Sequence, residues 1–414
     1  MTASTAADAT TPPAGGPAAP PAAAPPVPLV DLQAAHAEVA DEVREGFDRV
    51  LAAGAYVKGP DVAAFEEEYA ALCGTRHCVG TANGTDAVEL ALRALELPPG
   101  GGVVLPANTF VATAEAVVRA GLRPVLVDAD PEHLLTDPAR VAEVLEADGG
   151  AVAAAAAAGT DPRPGRIAAL LPVHLNGQVA PMRPLLDLAA AYGLPVAEDA
   201  AQAQGATQDG RPAGSWGRIA ATSFYPGKNL GAYGDAGAVT TSHDALAEAV
   251  RLTGDHGSSR KYVHDRFGFN SRLDTLQAVV LRAKLRRLPA WNAARRAAAA
   301  RYDALLAGLD GVALPRTAPG NVHVWHLYAV RVLPGRSRDA VLEALHAAGI
   351  GAGVHYPVPV HLQPAFRWLG HGEGAFPVAE RAARELLTLP LFPQITEAQQ
   401  VRVAETLAGA LARA

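Results

Sequence analysis

The stretch that decides the fold runs from residue 167 to residue 199 and reads IAALLPVHLNGQVAPMRPLLDLAAAYGLPVAED. It contains two apolar runs, Ile167 to Val173 and Leu194 to Ala197, with a helical pattern between them. Neither run alternates with polar residues, which is typical of strands that are covered on both faces. A strand, a helix and a second strand in this order predict neighbouring strands of a mostly parallel sheet.

The same alternation extends along much of the chain, so we predict an α/β fold. Further strands are predicted at Val103 to Leu105, Pro124 to Val127, Ile219 to Phe224 and Val324 to Val332. The spacing of apolar residues predicts helices at about Leu32 to Ala53, Thr85 to Leu95, Arg272 to about Leu305, Asp339 to Ala348, Val378 to Leu387 and Glu397 to Ala412.

Composition divides the chain into three parts. Residues 1–27 consist almost entirely of Ala, Pro, Thr and Gly, which predicts a disordered tail that cannot bury a core. We predict a large domain over residues 28–290, containing the mostly parallel sheet, and a smaller C-terminal α/β domain over residues 291–414. The alanine run 153–158 is interpreted as a low-complexity surface insertion.

Charge and cysteine content exclude several classes of protein. The 414 residues include 35 Lys and Arg against 42 Asp and Glu, a net charge of −7 without a basic block, so no nucleic-acid partner is expected. Two cysteines are too few for a disulfide framework, a four-cysteine zinc site or a thiolate-held iron–sulfur cluster. Apolar stretches end well before about 18 residues and the positive start of a secretory signal is missing, so we expect a cytoplasmic protein without a membrane span.

Four polar clusters follow predicted strands or flank helices: Asn83 to Ala87, Glu198 to Gln202, Ser223 to Leu230 and Asn270 to Asp274. Each is ambiguous alone. Gly84 and Thr85 before a helix are more often a plain helix cap, although free amides at such a terminus can bind phosphate. Asp199 could be a cap or turn residue. A loop lysine such as Lys228 is usually solvated, but flanking Pro, Gly and aromatic residues would desolvate it and leave its amine nucleophilic.

Three of these clusters together match the needs of one cofactor, pyridoxal 5′-phosphate. Lys228 would form the Schiff base, Asp199 would keep the pyridine nitrogen protonated, and the helix terminus at Gly84 would anchor the phosphate. No metal site is predicted.

The sequence closely resembles the DegT/StrS family of sugar aminotransferases, from about Pro28 to the C-terminus. The stretches that carry the resemblance are Tyr56 to Pro60, Asn83 to Ala87, Asn108 to Thr113, Pro172 to Leu175, Glu198 to Gln202, Ser223 to Leu230 with Gly234 and Asp235, Asn270 to Asp274 with Gln277, and His355 to Pro357. The resemblance implies the aspartate-aminotransferase fold, which is fold type I of pyridoxal-phosphate enzymes.

The resemblance also implies one role for each matching position. It makes Lys228 the Schiff-base lysine, Asp199 the partner of the pyridine nitrogen and Gln202 the neighbour of the cofactor's 3-oxygen. It stacks Phe110 on the ring, although core packing is an equal alternative for this side chain. The phosphate contacts that it implies are Gly84, Thr85, Ser223 and, from the other subunit of a homodimer with shared sites, Asn270.

Candidate substrate contacts are Tyr56, His326, His355, Tyr356 and His361, and a structural role is an equal alternative for each histidine and for Tyr356. His256, Arg260 and Lys261 could contact a nucleotide diphosphate held by the partner subunit, or could form a solvated basic loop. Two features depart from the family. Asn176 stands where an aromatic residue often follows Pro-Val-His-Leu, and the segment 143–165 is longer than usual.

The activity implied by the resemblance is transfer of an amino group from L-glutamate to a nucleotide-linked keto-deoxysugar, leaving 2-oxoglutarate. Relatives with Gln at the place of Gln202, and with a stretch like His355 to Leu362, tend to act on 3-ketosugars in antibiotic pathways. We therefore expect a dTDP-linked 3-keto-6-deoxyhexose, with a 4-ketosugar or a cyclitol ketone as the alternative. Lys228 and the low cysteine count disfavour a sugar dehydratase, and the intact cofactor set disfavours a non-catalytic regulatory protein.

Overall fold

The computed structural model describes residues 25–148 and 166–414. The predicted tail, apart from its last three residues, and the alanine run 153–158 lie outside the described residues. Most of the segment 143–165 lies outside them as well.

The secondary structure of the described chain consists of helices, short 3₁₀ turns and strands. The helices are α1 (Leu32–Ala37), α2 (Ala40–Ala53), α3 (Pro60–Cys73), α4 (Gly84–Ala94), α5 (Val111–Arg119), α6 (Pro138–Ala147), α7 (Met182–Ala191), α8 (Asp244–Gly254), α9 (Thr275–Leu285), α10 (Leu288–Leu305), α11 (Arg338–Ala347), α12 (Pro377–Glu385) and α13 (Glu397–Leu411). The strands are β1 (His77–Thr81), β2 (Gly102–Pro106), β3 (Arg123–Val127), β4 (Ile167–Leu170), β5 (Ala197–Asp199), β6 (Thr207–Gln208), β7 (Arg211–Pro212), β8 (Ile219–Ser223), β9 (Gly237–Thr241), β10 (Ser258–Arg260), β11 (Val263–His264), β12 (Val312–Ala313), β13 (Asn321–Val322), β14 (Tyr328–Val332) and β15 (Leu386–Leu389).

A mostly parallel sheet lies at the centre of the described chain. Its strands follow the spatial order β1-β9-β8-β5-β4-β2-β3, in which parallel bridges from Leu170 to Val196 and from Val173 to Asp199 join β4 to β5. Strand β9 runs antiparallel to β1 and β8, whereas the other neighbours are parallel. The prediction of a mostly parallel sheet is confirmed, but β1 and β9 were not among the predicted strands. Both are half-polar or rich in small residues, so their sequences lack a continuous run of large apolar side chains.

Two predicted helices are interrupted. The first breaks into α1 and α2 because Val39 adopts non-helical backbone angles, with φ −128° and ψ 4°. The region from Arg272 to Leu305 divides into α9 and α10, and Pro289 lies in the first turn of α10, where its missing amide costs no helical hydrogen bond. The predicted strand at 324–332 begins only at Tyr328. The predicted helix at 378–387 ends at Glu385, and the chain continues directly as β15.

The C-terminal part surrounds an antiparallel sheet of order β12-β14-β15. Its apolar core includes side chains of α10, α11 and α13 and also Val27, which is 1% exposed and whose amide donates to the carbonyl of Gly349 at 2.9 Å. Val27 therefore belongs to the folded chain, although the predicted tail included it. Conversely, Val360, Phe366 and Phe376 pack into the core beneath α4 and α5. The boundary at residue 290 thus stays a prediction, since α10 runs through it.

The sheet order brings the turns that follow β1, β5 and β8 to one edge of the sheet. Each of these turns begins one of the polar clusters, since Asn83, Asp199 and Ser223 lie within two residues of the ends of the three strands. Within the described residues, no helix combines the length and the apolar character that crossing a membrane requires.

Candidate active site

Lys228 lies in a compact loop that follows β8. Its amide donates to the carbonyl of Tyr225 at 2.8 Å, and the amide of Ala232 donates to that of Phe224 at 2.8 Å, which closes the loop. A side chain at Gly231 is excluded because its Cβ would lie 2.3 Å from the carbonyl oxygen of Pro226. Burial lowers the pKa of the Lys228 amine to about 8, and the negative charge of Asp199 acts in the opposite direction. The loop therefore holds a desolvated amine close to a carboxylate.

Asp199 ends β5 and is fixed at both side-chain oxygens. Its Oδ1 accepts the amide N–H of Ala201 at 3.1 Å, and its Oδ2 accepts the hydroxyl of Thr113 at 2.7 Å. The backbone is held as well, since the Asp199 amide donates to the carbonyl of Pro172 at 3.0 Å and the Asp199 carbonyl accepts the amide of His174 at 2.9 Å. The side chain is buried, so its charge acts in a medium that screens poorly.

The preceding residue, Glu198, anchors the same strand from its other face. Its side chain is fully buried and accepts hydrogen bonds from Nε2 of His174 at 2.8 Å and from the amides of Gly214 and Gly217 at 2.9 and 2.7 Å. Nδ1 of His174 accepts the amide of Ala180 at 3.1 Å, so His174 carries its proton on Nε2. This pair ties the loops on either side of β5 to the strand that ends in Asp199.

Gln202 is held at both ends of its amide. Its Oε1 accepts the backbone N–H of Asn176 at 2.7 Å, and its Nε2 donates to the hydroxyl of Tyr356 at 3.0 Å. Asn176 has a left-handed backbone, with φ 57°, which asparagine tolerates better than most residues. The ring of Tyr356 lies 5.1 Å from that of Phe110, centroid to centroid, and burial raises the pKa of Tyr356 above its ordinary value. Phe110 is 48% exposed, so its ring is not buried in a core.

The first turn of α4 lies against the end of β8. A Cβ added to Gly84 would lie 2.4 Å from Cβ of Ser223, so the two backbones meet where any larger residue would collide. Asn83 caps the helix by accepting the amide of Asp86 at 2.8 Å. The amides at Gly84 and Thr85 precede the first helical hydrogen bonds, and their dipoles favour an anion there.

Two predicted substrate histidines lie near the lysine. Burial, and then the charge of Lys228, lower the pKa of both His326 and His355. Nδ1 of His326 lies 3.3 Å from Oδ1 of Asn229, the residue after the lysine, and Nδ1 of His355 lies 2.9 Å from the hydroxyl of Thr388. The C-terminal part therefore contributes side chains to the region around Lys228.

The other predicted contacts are not gathered there. Four of them are exposed and follow α8: His256, Arg260, Lys261 and Asn270. Tyr56 is half-exposed. Among the described residues, none of the five has a hydrogen bond or ion pair to Lys228, Asp199 or Gln202. Asn270 instead forms a backbone bridge with Asp255. The role of these residues in a shared site stays a prediction.

For His361, the structure favours the structural alternative over a substrate contact. Its side chain is fully buried, and its Nε2 lies 3.0 Å from Oε1 of Glu380 in the core of the large part. The ring packs edge-on against Phe376 at a centroid distance of 4.7 Å. This histidine pairs with a buried carboxylate, and among the described residues it has no hydrogen bond to Lys228, Asp199 or Gln202.

The sequence interpretation missed Thr113 and the Glu198–His174 pair. Thr113 lies in a stretch that carries the resemblance and in the first turn of α5. Its hydroxyl lies 2.8 Å from that of Thr109, which precedes the helix, so both hydroxyls lie on one side of the start of α5. Nothing in the spacing alone indicates that this side faces Asp199.

The chain is similar in sequence to known proteins of one aminotransferase family. Residues 37–408 match the sequence profile of the DegT/DnrJ/EryC1/StrS aminotransferase family. Over 383 residues the chain is 44% identical to a Streptomyces venezuelae protein named dTDP-3-amino-3,4,6-trideoxy-alpha-D-glucose transaminase, with 92% of this chain and 96% of that protein covered. It is also 44% identical to a Saccharopolyspora erythraea protein named erythromycin biosynthesis sensory transduction protein EryC1, with coverages of 93% and 100%.

The fold is similar to that of a solved structure from S. venezuelae. The crystal structure of DesV in complex with a ketimine intermediate aligns with a TM-score of 0.86 at 44% identity, covering 94% of this chain and 100% of that one.

Proposed function

The chain belongs to the DegT/DnrJ/EryC1/StrS aminotransferase family, and we propose that it moves an amino group from L-glutamate to a dTDP-linked 3-keto-6-deoxyhexose. It is a sugar aminotransferase that depends on pyridoxal phosphate and has fold type I of such enzymes. The observation that carries the proposal is the desolvated amine of Lys228 close to the fixed carboxylate of Asp199, next to a helix terminus where Gly84 leaves no room for a side chain.

The residues present fit this cofactor. The phosphate would lie between the first turn of α4 and the end of β8, at the small residues Gly84 and Ser223, where the free amides of α4 could donate to it. We call this place the cradle. The residues that would hold the group are Gly84, Thr85 and Ser223 at the phosphate, Asp199 at the pyridine nitrogen, Gln202 at the 3-oxygen, Phe110 on a ring face and Lys228 as the covalent attachment. When bound, pyridoxal phosphate supplies an electron sink for the pair left behind when the amino donor loses a proton.

Lys228 would move that proton. With a pKa lowered to about 8, about a tenth of its amine is unprotonated at neutral pH, a far larger share than in an ordinary lysine. In its free form this amine would take the proton from the α-carbon of glutamate as a base and would then, as an acid, deliver it to the C4′ position. With the ketosugar the same amine works in the reverse order.

Gln202 supports a 3-ketosugar. Its amide is neutral, and the contacts with Asn176 and Tyr356 leave one Nε2 hydrogen free for the cofactor's 3-oxygen. It adds no titrating charge where a sugar would approach. The S. venezuelae relative is named for a dTDP-3-amino sugar, which supports the same sugar position and nucleotide for this chain.

We further propose a homodimer in which each site takes Asn270 from the neighbouring subunit, with His256, Arg260 and Lys261 at the nucleotide diphosphate. The segment that contains them also exposes Tyr262 by 85% and Phe267 completely, and apolar side chains so exposed are typical of a surface that a partner covers. In this proposal the enzyme works in the cytoplasm, in deoxyaminosugar biosynthesis for an antibiotic pathway.

The test of the proposed function runs the reaction backwards. A dTDP-3-amino-3,6-dideoxyhexose and 2-oxoglutarate should yield glutamate, detected by mass spectrometry, with matched dTDP-4-amino sugars and amino-cyclitols as controls. Amination of 2-oxoglutarate from the 4-amino sugars or cyclitols alone would refute the 3-keto assignment. Absence of glutamate with every donor, in protein that has bound pyridoxal phosphate, would refute the transfer itself and favour a regulatory role.

A further inference from the structure

We propose that Thr113, supported by Thr109, is a positioning residue that holds the Asp199 carboxylate in the orientation in which it faces the cofactor's pyridine nitrogen. This inference rests on the proposed function in one respect, namely that Asp199 faces that nitrogen. The observations that carry it are the hydroxyl-to-carboxylate contact between α5 and β5 and the second hydroxyl behind it.

The direction of the hydrogen bonds follows from counting protons. Thr113 has one hydroxyl hydrogen, and an ionised carboxylate can only accept, so Thr113 donates to Oδ2 of Asp199 across 2.7 Å. The hydroxyls of Thr109 and Thr113 lie 2.8 Å apart, and because Thr113 has already used its hydrogen, Thr109 donates to it. The two hydroxyls therefore donate in series, from Thr109 to Thr113 and from Thr113 to the carboxylate of Asp199.

Burial strengthens these two hydrogen bonds. Thr109, Thr113 and Asp199 are 3%, 2% and 5% exposed, so water does not compete for these bonds. A hydroxyl that accepts a hydrogen bond becomes a better donor, so Thr109 strengthens the contact that Thr113 makes. Hydrogen bonds to a charged group in such surroundings are shorter and stronger than neutral ones.

The effect on the reaction depends on the proton that Asp199 would share with the pyridine nitrogen. A hydrogen bond to Oδ2 fixes the orientation in which the carboxylate accepts the N–H of the ring, and this contact favours the protonated nitrogen. Within the described chain, Lys228 and Tyr356 are two ionisable groups that interact with Asp199. The amine of Lys228 attracts the carboxylate while it is charged, but the reaction needs that amine neutral. Thr113 is a donor whose contribution does not change as Lys228 gains and loses its proton.

The experiment distinguishes the contribution of the Thr113 hydroxyl donor from that of its side-chain packing. Thr113→Val keeps the branched side chain and loses the donor, whereas Thr113→Ser keeps the donor and loses the methyl group. Thr109→Val removes only the supporting donor. Thr240→Val is the matched control, since Thr240 on β9 is as buried as Thr113 but donates to the carbonyl of Gly214 at 2.8 Å and not to Asp199.

The main readout is independent of turnover. Each protein is loaded with pyridoxal phosphate that carries an isotope label at the ring nitrogen, and the nitrogen resonance reports whether it is protonated at about pH 8. Thr113→Val should shift the nitrogen toward the neutral form, and kcat should fall by about 10- to 100-fold, as expected for losing a hydrogen bond to a charge. The KM for glutamate should change by less than about threefold. Thr113→Ser should retain both wild-type values, and Thr109→Val should move in the same direction by less.

Each outcome decides between the explanations. A protonated nitrogen in Thr113→Val, or a loss in Thr113→Ser as large as in Thr113→Val, would overturn the proposal and leave Thr113 as a packing residue. If Thr113→Val fails to fold, Thr109→Val decides by the same resonance, and an unchanged signal there overturns the proposal. Wild-type protein that binds no pyridoxal phosphate would refute the proposed function and this inference together.

Discussion

A β-carbon added to Gly84 would lie 2.4 Å from Cβ of Ser223 and 3.0 Å from its Cα, closer than two carbon atoms can approach without movement. The first turn of α4 and the end of β8 therefore define a cradle whose width is set by the absence of one side chain. Both residues were predicted as phosphate contacts, and their contact places the amides of α4 beside the loop that holds Lys228.

Gly84→Ala should separate α4 from β8 and weaken binding of pyridoxal phosphate by about 10-fold or more, since the phosphate loses both the amides and the close wall. Equilibrium titration of cofactor-free protein, followed by absorbance, measures this. Gly372→Ala is the control, because nothing lies within 4 Å of its added Cβ and its backbone is not left-handed. Equal affinity in Gly84→Ala and wild type would exclude the cradle as the phosphate site.

The rate at which cofactor-free protein captures pyridoxal phosphate should rise with pH through about 8 and then level off, because the unprotonated amine of Lys228 is the nucleophile. An ordinary lysine, with a pKa of 10.5, would show a rate that still climbs well above pH 8. Asp199→Asn should shift the midpoint to lower pH, since the carboxylate's charge raises the pKa of the lysine. Stopped-flow absorbance gives both midpoints.

The site of attachment should be Lys228 and not Lys284. Burial lowers the pKa of Lys284 to about 8 as well, but its Nζ donates to the carbonyl of Gly231 at 2.7 Å and lies 4.5 Å from the ring centre of Tyr233. Borohydride reduction followed by peptide mass spectrometry distinguishes the two lysines. Label on Lys284 would contradict the assignment of the site.

Asn270 should act in the neighbouring subunit's site. Lys228→Ala and Asn270→Ala homodimers should both be weak, whereas mixing them with subunit exchange should restore about a quarter of wild-type activity, because half of the dimers are mixed and one of their two sites is intact. Steady-state rates after exchange, with the mixed dimer quantified by differential tags, test this. Activity no higher than the average of the two variants would place Asn270 in its own chain's site or outside it.

His361→Ala should destabilise the protein by about 1–3 kcal/mol, because the buried carboxylate of Glu380 loses one hydrogen-bond partner and keeps the amides of Gly374 and Phe376. The KM values for both substrates should stay the same. His371→Ala is the control, since His371 also packs edge-on against Phe376, at 5.0 Å, but is exposed and has no such carboxylate; its effect should be within about 0.5 kcal/mol. Denaturant unfolding and steady-state kinetics together test this, and a raised KM in His361→Ala would restore a substrate role.

The predictions that succeeded rest on local patterns. Apolar runs without polar alternation predicted β2, β4 and β8 to within three residues, because strands covered on both faces are apolar throughout. The ends of elements were less predictable. The break at Val39 and the switch from helix to strand at Leu386 occur inside apolar spacing that continues across them, so packing and not periodicity decides them.

The sequence by itself determined the α/β class and the mostly parallel sheet, since these follow from strand patterns. It also predicted Lys228, Asp199 and, through the family resemblance, Gln202 as the central site residues, since the motifs that contain them each lie within a few residues. Only the tertiary structure decided which side chains support them. Thr113 and Asp199 are 86 residues apart, and Gln202 and Tyr356 are 154 apart, yet each pair shares a hydrogen bond. His355 and His361 are of one residue type and six positions apart, but one lies near Lys228 and the other pairs with Glu380 in the core. The physical reason is that periodicity reports the burial of a single element, whereas the partner of a buried polar group depends on which elements the folded chain stacks against it.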